Sequence, residues 1–246
     1  MDRMIYTAMT GAKNLMHRQD AIANNLANVN TAGYRATTTA FRVAPLTGPG
    51  LPTRAMAVDT TTGADFAPGT IQTTGRPLDV AVQGRGWLAV QGADGTEGYT
   101  RNGGFEVNEQ GLLQTSAGQP VLGDGGPITL PPGIKISIAA DGTISGTPEG
   151  NGKTATAIGR LKLVNPPENE LTRAADGLFR LRDGAAADAD PRVRVTSGAI
   201  EGSNVNAVEA MVGMISLARQ FDTQMKLLQS ADGSARRATQ LLSVNA

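Results

Sequence analysis

Apolar residues recur at helical spacing at both ends of this chain and at strand spacing only in between. From Asp2 to about Asn28 there is one glycine, Gly11, and no proline. Over that stretch Ile5, Ala8, Ala12, Leu15, Ile22 and Leu26 keep the alternating three-and-four beat of a heptad, with Gln19 in the one missing place. Such a narrow seam suits a coiled coil better than a helix sunk in a globule. At the other end Asn206-Ala207-Val208-Glu209 has the N-x-x-E spacing of a helix start. Val208, Met211, Ile215 and Ala218 then continue a heptad; Phe221 falls one place early, and Met225, Leu228, Ala235 and Leu242 resume it. Gly233 is expected to weaken the final turns.

Between the ends the pattern changes twice. From Thr37 to about Gly75 threonine, glycine and proline dominate, and Pro45, Pro49, Pro52 and Pro68 predict an extended connector without regular elements. From Leu78 to about Gly198 short alternating runs lie between glycine turns. Leu78-Asp79-Val80-Ala81-Val82, Trp87-Leu88-Ala89-Val90, Arg160-Leu161-Lys162-Leu163 and Arg192-Val193-Arg194-Val195 each predict a strand with one packed face and one wet face. Asp94-Gly95, Asp124-Gly125 and Asp141-Gly142 are hairpin-turn pairs. The expected class is therefore α+β: discontinuous N- and C-terminal helices forming a coiled-coil-type bundle, with a central all-β domain of short antiparallel strands. The expected boundaries are 1–36 for the first helix, 37–74 for the connector, 75–202 for the β-domain and 203–246 for the last helix.

Composition narrows the partners. The 246 residues carry 22 basic and 22 acidic side chains, a balance that argues against nucleic acid or an anionic membrane surface. With 31 glycines, 13 prolines and 4% aromatics, the body is turn-rich. No cysteine is present, which removes disulfides and thiolate chemistry. The longest apolar stretch, Met211 to Ala218, falls short of the roughly 20 residues that cross a bilayer. The opening Met1-Asp2-Arg3-Met4-Ile5-Tyr6 lacks the continuous apolar run of a cleavable signal. Neither membrane insertion nor signal cleavage is expected.

Candidate chemistry does not accumulate. Gly84-Arg85-Gly86-Trp87-Leu88-Ala89 fits a dinucleotide fingerprint, but a strand and not a helix is expected after it, so a hairpin is the better reading. Gly152-Lys153-Thr154 resembles the end of a phosphate loop whose first glycine would stand at Thr147, which favours a loop tip. Asp183, Asp188 and Asp190 lack the glycine and further oxygen donors of a calcium loop. His17, the single histidine, lies off the helical seam and is expected on the surface. No catalytic, cofactor-binding or metal-binding residue is expected, and no cofactor.

The end helices instead need partners. The first seam offers about four large apolar side chains at ~1.5–3 kcal/mol each when buried. Ordering its backbone costs ~1–2 kcal/mol per residue before hydrogen bonds offset it. Burial among several neighbouring helices is the favourable case, so the ends are expected to order on assembly. The alternative is that both helices simply pack on the β-domain.

The most distinctive segment is Asp20-Ala21-Ile22-Ala23-Asn24-Asn25-Leu26-Ala27-Asn28-Val29-Asn30-Thr31-Ala32-Gly33-Tyr34-Arg35, a helix end whose asparagines and Gly33 suit capping. It closely resembles the signature of the bacterial flagellar basal-body rod and hook axial proteins. Pro77 to Trp87, Tyr99 to Phe105, Gly111-Leu112-Leu113 and Glu201-Gly202-Ser203-Asn204-Val205-Asn206 resemble further blocks of that family in the same order. Met1 to Ala12 and Arg237 to Ser243 are most similar to its proximal rod members, with distal rod members the nearest rivals. Thr31-Ala32-Gly33-Tyr34 replaces the commoner Thr-Pro-Gly-Phe form, and Trp87 stands where phenylalanine is usual.

The resemblance implies a structural subunit of a periplasmic rod, exported through the flagellar type III apparatus without signal cleavage, that carries torque from motor to hook. It implies partners among copies of itself, other rod proteins and the export apparatus, with no nucleic acid and no direct membrane insertion. The expected subunit interface is Ile5, Ala8, Ala12, Leu15, Ile22, Asn24, Asn25, Leu26 and Asn28 against Val208, Met211, Ile215, Ala218, Met225 and Leu228, from the same or adjacent subunits. A secreted β-rich module that binds glycan is the competing class, with Trp87, Tyr99 and Phe105 as its few aromatics.

Overall fold

With no proline and a single glycine to interrupt it, the N-terminal segment runs as one helix, α1 (Asp2–Ala27). It stops where asparagines take over: the Thr31 N–H donates to the Asn28 carbonyl at 3.1 Å, and Gly33 turns the chain at φ 68°. The second helix, α2 (Ala207–Ser243), starts on Asn206, whose Oδ1 accepts from the Val208 N–H at 3.1 Å and the Glu209 N–H at 3.3 Å. It continues through Gly233, across which Asp232 and Arg236 pair at 2.9 Å one turn apart.

This computed structural model describes residues 2–45, 55–148 and 154–243. They divide into two units, one of residues 1–27, 37–63 and 206–246, the other of residues 28–36 and 64–205. The first unit joins both helices to a two-stranded sheet of β1 (Thr37–Pro45) and β2 (Ala55–Ala64). The expected connector 37–74 is therefore extended but not irregular. Its threonines pair as strands, and of its prolines Pro45 only ends β1 while Pro68 lies outside any strand. Pro49 and Pro52 lie outside the described residues. Asn25 ties strand to helix: its Nδ2 donates to the Thr37 carbonyl at 2.9 Å, and its Oδ1 accepts from the Thr37 N–H at 2.7 Å.

Among the described residues the second unit has sixteen short strands. They are β3 (Ile71–Thr73), β4 (Val80–Gln83), β5 (Trp87–Gln91), β6 (Glu97–Thr100), β7 (Phe105–Val107), β8 (Leu113–Thr115), β9 (Leu122–Gly123), β10 (Gly126–Pro127), β11 (Ile134–Ile138), β12 (Thr143–Pro148), β13 (Thr156–Arg160), β14 (Leu163–Val164), β15 (Leu171–Arg173), β16 (Phe179–Leu181), β17 (Arg194–Ser197) and β18 (Ala199–Glu201). One five-stranded sheet has the order β14-β5-β6-β16-β15, and a three-stranded sheet the order β11-β12-β13. The pairs β3–β18, β4–β17, β7–β8 and β9–β10 complete the unit, all antiparallel. The three aspartate-glycine turns fall where expected, between β5 and β6, β9 and β10, and β11 and β12.

Two expectations are corrected here. The loop Gly84-Arg85-Gly86 does start a strand, yet β4 and β5 pair with different partners and make no hairpin. Nor do these strands keep one wet face: Val80 to Val82 and Trp87 to Val90 are all buried. The reason is that β5 divides two cores. Leu88 and Val90 join Val80, Phe105, Leu113 and Ile144 on one side, while Trp87 and Ala89 join Tyr99, Val164 and Phe179 on the other. Small alanines on the second face allow that close packing.

Tyr99 sits at the centre of the second core, its hydroxyl oxygen accepting from the Ala187 N–H at 2.6 Å. Burial pushes this phenol up to about 12, against the pull of that hydrogen bond. A group with a raised folded pKa contributes stability below its unfolded value that is lost as pH climbs to the folded one. Alkaline titration is therefore expected to erode stability between about pH 10 and 12. Tyr99→Phe should flatten that loss in urea midpoints measured across the same range, and an unchanged slope would rule it out.

Candidate subunit interface

The two helices pack against each other in the first unit. A Cβ added at Gly11 would meet the Gln224 side chain at 2.8 Å, and one at Gly213 would meet Ile22 at 3.2 Å, so the pair is antiparallel. On α1 the expected seam is the inward face: Ala12 is buried, and Ala8, Leu15, Ile22 and Leu26 are half-buried. Ile5 belongs to first turns whose side chains lie outside those described.

On α2 the inward seam is displaced by one residue from expectation. Ala207, Ala210, Met214, Leu217, Phe221, Gln224, Leu228 and Ala231 form an unbroken heptad of half-buried positions, with Leu217 fully buried. Phe221, read as out of phase, is in phase with it. Of the expected interface residues on α2, Leu228 alone belongs to this seam, and Val208, Met211, Ile215, Ala218 and Met225 are exposed. At the start of α2 small residues face α1, where Ala207, Ala210 and Gly213 allow close approach, and the larger Leu217 and Phe221 fill the seam beyond them, so the Val208, Met211 and Ile215 stripe is turned outward.

That outward stripe is unusually apolar. Val208 is 71% exposed, Met211 52%, Val212 62% and Ile215 56%, and their spacing places them along one face over two turns. Of the asparagines expected to reach neighbouring subunits, Asn24 is exposed, Asn25 is committed to the Thr37 backbone, and Asn28 accepts from the Thr31 hydroxyl at 3.1 Å. His17 is exposed, as expected. Asp190 of the acidic loop is held down at about 2 by the Arg192 side chain. Gly152 and Lys153 lie outside the described residues.

The second unit contains a buried ion cluster that sequence reasoning did not single out. Glu201, 1% exposed, ends β18; its Oε1 lies 2.7 Å from Nη1 of Arg35, and its Oε2 accepts from Nη1 of Arg101 at 3.1 Å. Arg35 is 0% exposed and Arg101 5%. Two cations thus share one carboxylate. Arg101 also donates to the Val82 and Gly84 carbonyls, and the Gly69 N–H donates to Glu201 Oε1 at 2.9 Å. Burial pushes the Arg101 guanidinium down to about 10, Glu201 pulls it back up and Arg35 presses it further down, so it stays charged at neutral pH. Both guanidiniums lie over the Trp87 ring, at 5.9 Å for Arg35 and 5.5 Å for Arg101.

Backbone contacts draw the same segments together. The Gly33 N–H donates to the Glu201 carbonyl at 2.7 Å, and the Ala36 N–H to Asn204 Oδ1 at 2.7 Å. No side chain fits at two of the crossing points. A Cβ at Gly33 would lie 2.3 Å from the Arg101 carbonyl carbon, and one at Gly103 would lie 1.8 Å from the Val80 oxygen. Residues 33–35, 84–87, 101–103 and 201–204, far apart in sequence, therefore meet at one knot.

Comparison with known proteins bears on the same blocks. The chain is 51% identical, over the whole of both sequences, to the flagellar basal-body rod protein FlgF of Escherichia coli (strain K12). The chain belongs to the flagellar basal-body rod family.

Identity to FlgF of Salmonella typhimurium is again 51% over both full lengths, and to FlgF of Caulobacter vibrioides 30% over 98% of each chain. A rod protein of the sister kind, FlgG of Buchnera aphidicola from Schizaphis graminum, is 28% identical over 96% of this chain, so the FlgF kind is favoured. Three family models match in chain order: the flagella basal body rod protein over residues 5–35, the flagellar hook protein FlgE/F/G D1 domain over 81–146, and the flagellar basal body rod FlgEFG protein C-terminal region over 196–241. Each contributes one member of the ion cluster, Arg35, Arg101 and Glu201 in turn. The signal in the sequence was the set of family blocks; nothing in their spacing says that they meet.

Proposed function

We propose that this chain is a structural subunit of the bacterial flagellar basal-body rod, of the proximal kind, polymerising through its terminal helices into a drive shaft between motor and hook. The supporting observation is the exposed stripe Val208, Met211, Val212 and Ile215 on α2 in a chain that matches rod proteins end to end. Covering those side chains is worth ~1.5–3 kcal/mol each at full burial. Docking two molecules costs an estimated ~4–15 kcal/mol. One stripe alone is marginal against that cost, so stable incorporation needs contact with several neighbours at once, as in a helical rod. Copies of the chain and other rod proteins are those neighbours, the export apparatus delivers the chain to the periplasm without cleaving it, and no enzymatic step is required.

The glycan-binding alternative loses its platforms, since Trp87, Tyr99 and Phe105 are 4%, 0% and 0% exposed. The deciding experiment is a side-chain-resolved image of isolated basal bodies. The expected result is this chain traced in the rod with the α2 stripe covered by adjacent subunits. A rod traced without this chain would overturn the reading.

A further inference from the structure

Beside the helix pair, within the same unit, lies an open groove of about 470 Å³. One wall is α1 from Gly11 to Arg18, another is α2 from Gln220 to Leu227, and Phe41 of β1 also lines it. Leu15, Phe41 and Leu227 supply its apolar surface, and among the described residues Arg18 is the one charged side chain lining it. Each helical wall runs over eight residues, seven helical rises or about 10 Å. The exposed stripe from Val208 to Ile215 has the same span, and Glu209, which flanks it, is the one charged residue within that span.

The stripe cannot fill this groove within one molecule. Both lie on the continuous helix α2, and setting Val208 at Gln220 and Ile215 at Leu227 requires a displacement of twelve residues, about 18 Å along a rigid rod. The occupant must come from another molecule. We infer that the groove lined by Leu15, Phe41 and Leu227 receives the Val208–Ile215 stripe of a second copy, its α2 parallel to the resident α2 and displaced by about 18 Å. Charge sets the polarity. Arg18 lies at the Gln220 end because the helices are antiparallel, so Glu209 enters at that end and the incoming helix runs in the direction of its host. A parallel, displaced contact is heterologous and does not close, so repetition yields an open filament. This assignment rests on the rod reading and names the two faces that would meet.

The absence of native cysteine makes the test clean. Met211→Cys with Thr223→Cys places exposed thiols at two positions twelve residues apart, one on the stripe and one at the groove. Oxidised basal bodies carrying the double variant are expected to give a ladder of covalent multimers, and either single variant none beyond dimers. Arg18→Glu and Glu209→Arg should each lower incorporation several-fold, and the pair together should restore it. Normal incorporation without a ladder, or singles that are not rescued by the double exchange, would overturn the pairing and leave the rod reading intact. Absence of the unmodified chain from basal bodies would instead overturn the rod reading itself.

Discussion

Exchange of Glu201 for Gln is expected to cost about 3–5 kcal/mol, because it removes the one carboxylate that two buried guanidiniums share. Glutamine preserves shape and can still accept from the Gly69 N–H, so packing loss does not confuse the result. What remains is Arg35 and Arg101, almost wholly buried and repelling each other, with only the weaker attraction of Glu168 on Arg101. Arg35 is the more exposed to this loss: its guanidinium nitrogens have no aligned hydrogen-bond partner among the described residues and depend on charge attraction to Glu201. Against a typical domain stability of roughly 5–15 kcal/mol, that loss is a large fraction of the whole. Trp87 is the only tryptophan, and both arginines lie over its ring, so its fluorescence reports the site directly. Urea titration of the full chain should show a lower midpoint with an unchanged slope. A midpoint shift equivalent to less than about 1 kcal/mol, the scale of an ordinary surface ion pair, would refute the claim that the cluster holds the knot.

Replacing Ile215 by Asp is expected to abolish motility while leaving the subunit folded. Ile215 is 56% exposed in the single chain, and substitutions at such positions are usually worth less than about 0.5 kcal/mol to the fold. On the proposed function the same position is covered by a neighbouring subunit in the rod. Losing its burial costs about 1.5–3 kcal/mol per contact, or roughly ten- to a hundred-fold in affinity, and a desolvated carboxylate adds to that. Circular dichroism should match the parent chain, and basal bodies should lack the variant. Leu15→Asp is a weaker test, since Leu15 is half-buried on the face turned toward α2 and its loss disturbs the subunit itself. Normal swimming with Ile215→Asp would remove the stripe from the interface.

Much of this molecule can be read along the chain because helices and strands announce themselves by local period. The 3.6-residue beat of the ends, the Asn206 cap, the asparagine-rich stop after Ala27 and the aspartate-glycine turns all act over a few residues, and each is found where the pattern places it. The family blocks are likewise contiguous and readable. The connector departs from its expected irregularity because its threonine-rich segments pair as β1 and β2, with Pro45 at the end of β1 and Pro68 outside any strand.

What only the tertiary structure decided concerns choices between near-equivalent faces and meetings between distant segments. Two adjacent apolar stripes on α2 differ by one residue in register, and the pattern cannot say which one α1 prefers. The inward stripe, with Ala207 and Ala210 at its start and Leu217 and Phe221 beyond them, packs on α1 and leaves Val208, Met211, Val212 and Ile215 exposed. Strand β5 is buried on both faces because two cores share it, which alternation within a single strand cannot disclose. The pairing of Arg35, Arg101 and Glu201 joins residues up to 166 positions apart, a contact specified by the closure of the whole β-unit and by no local spacing.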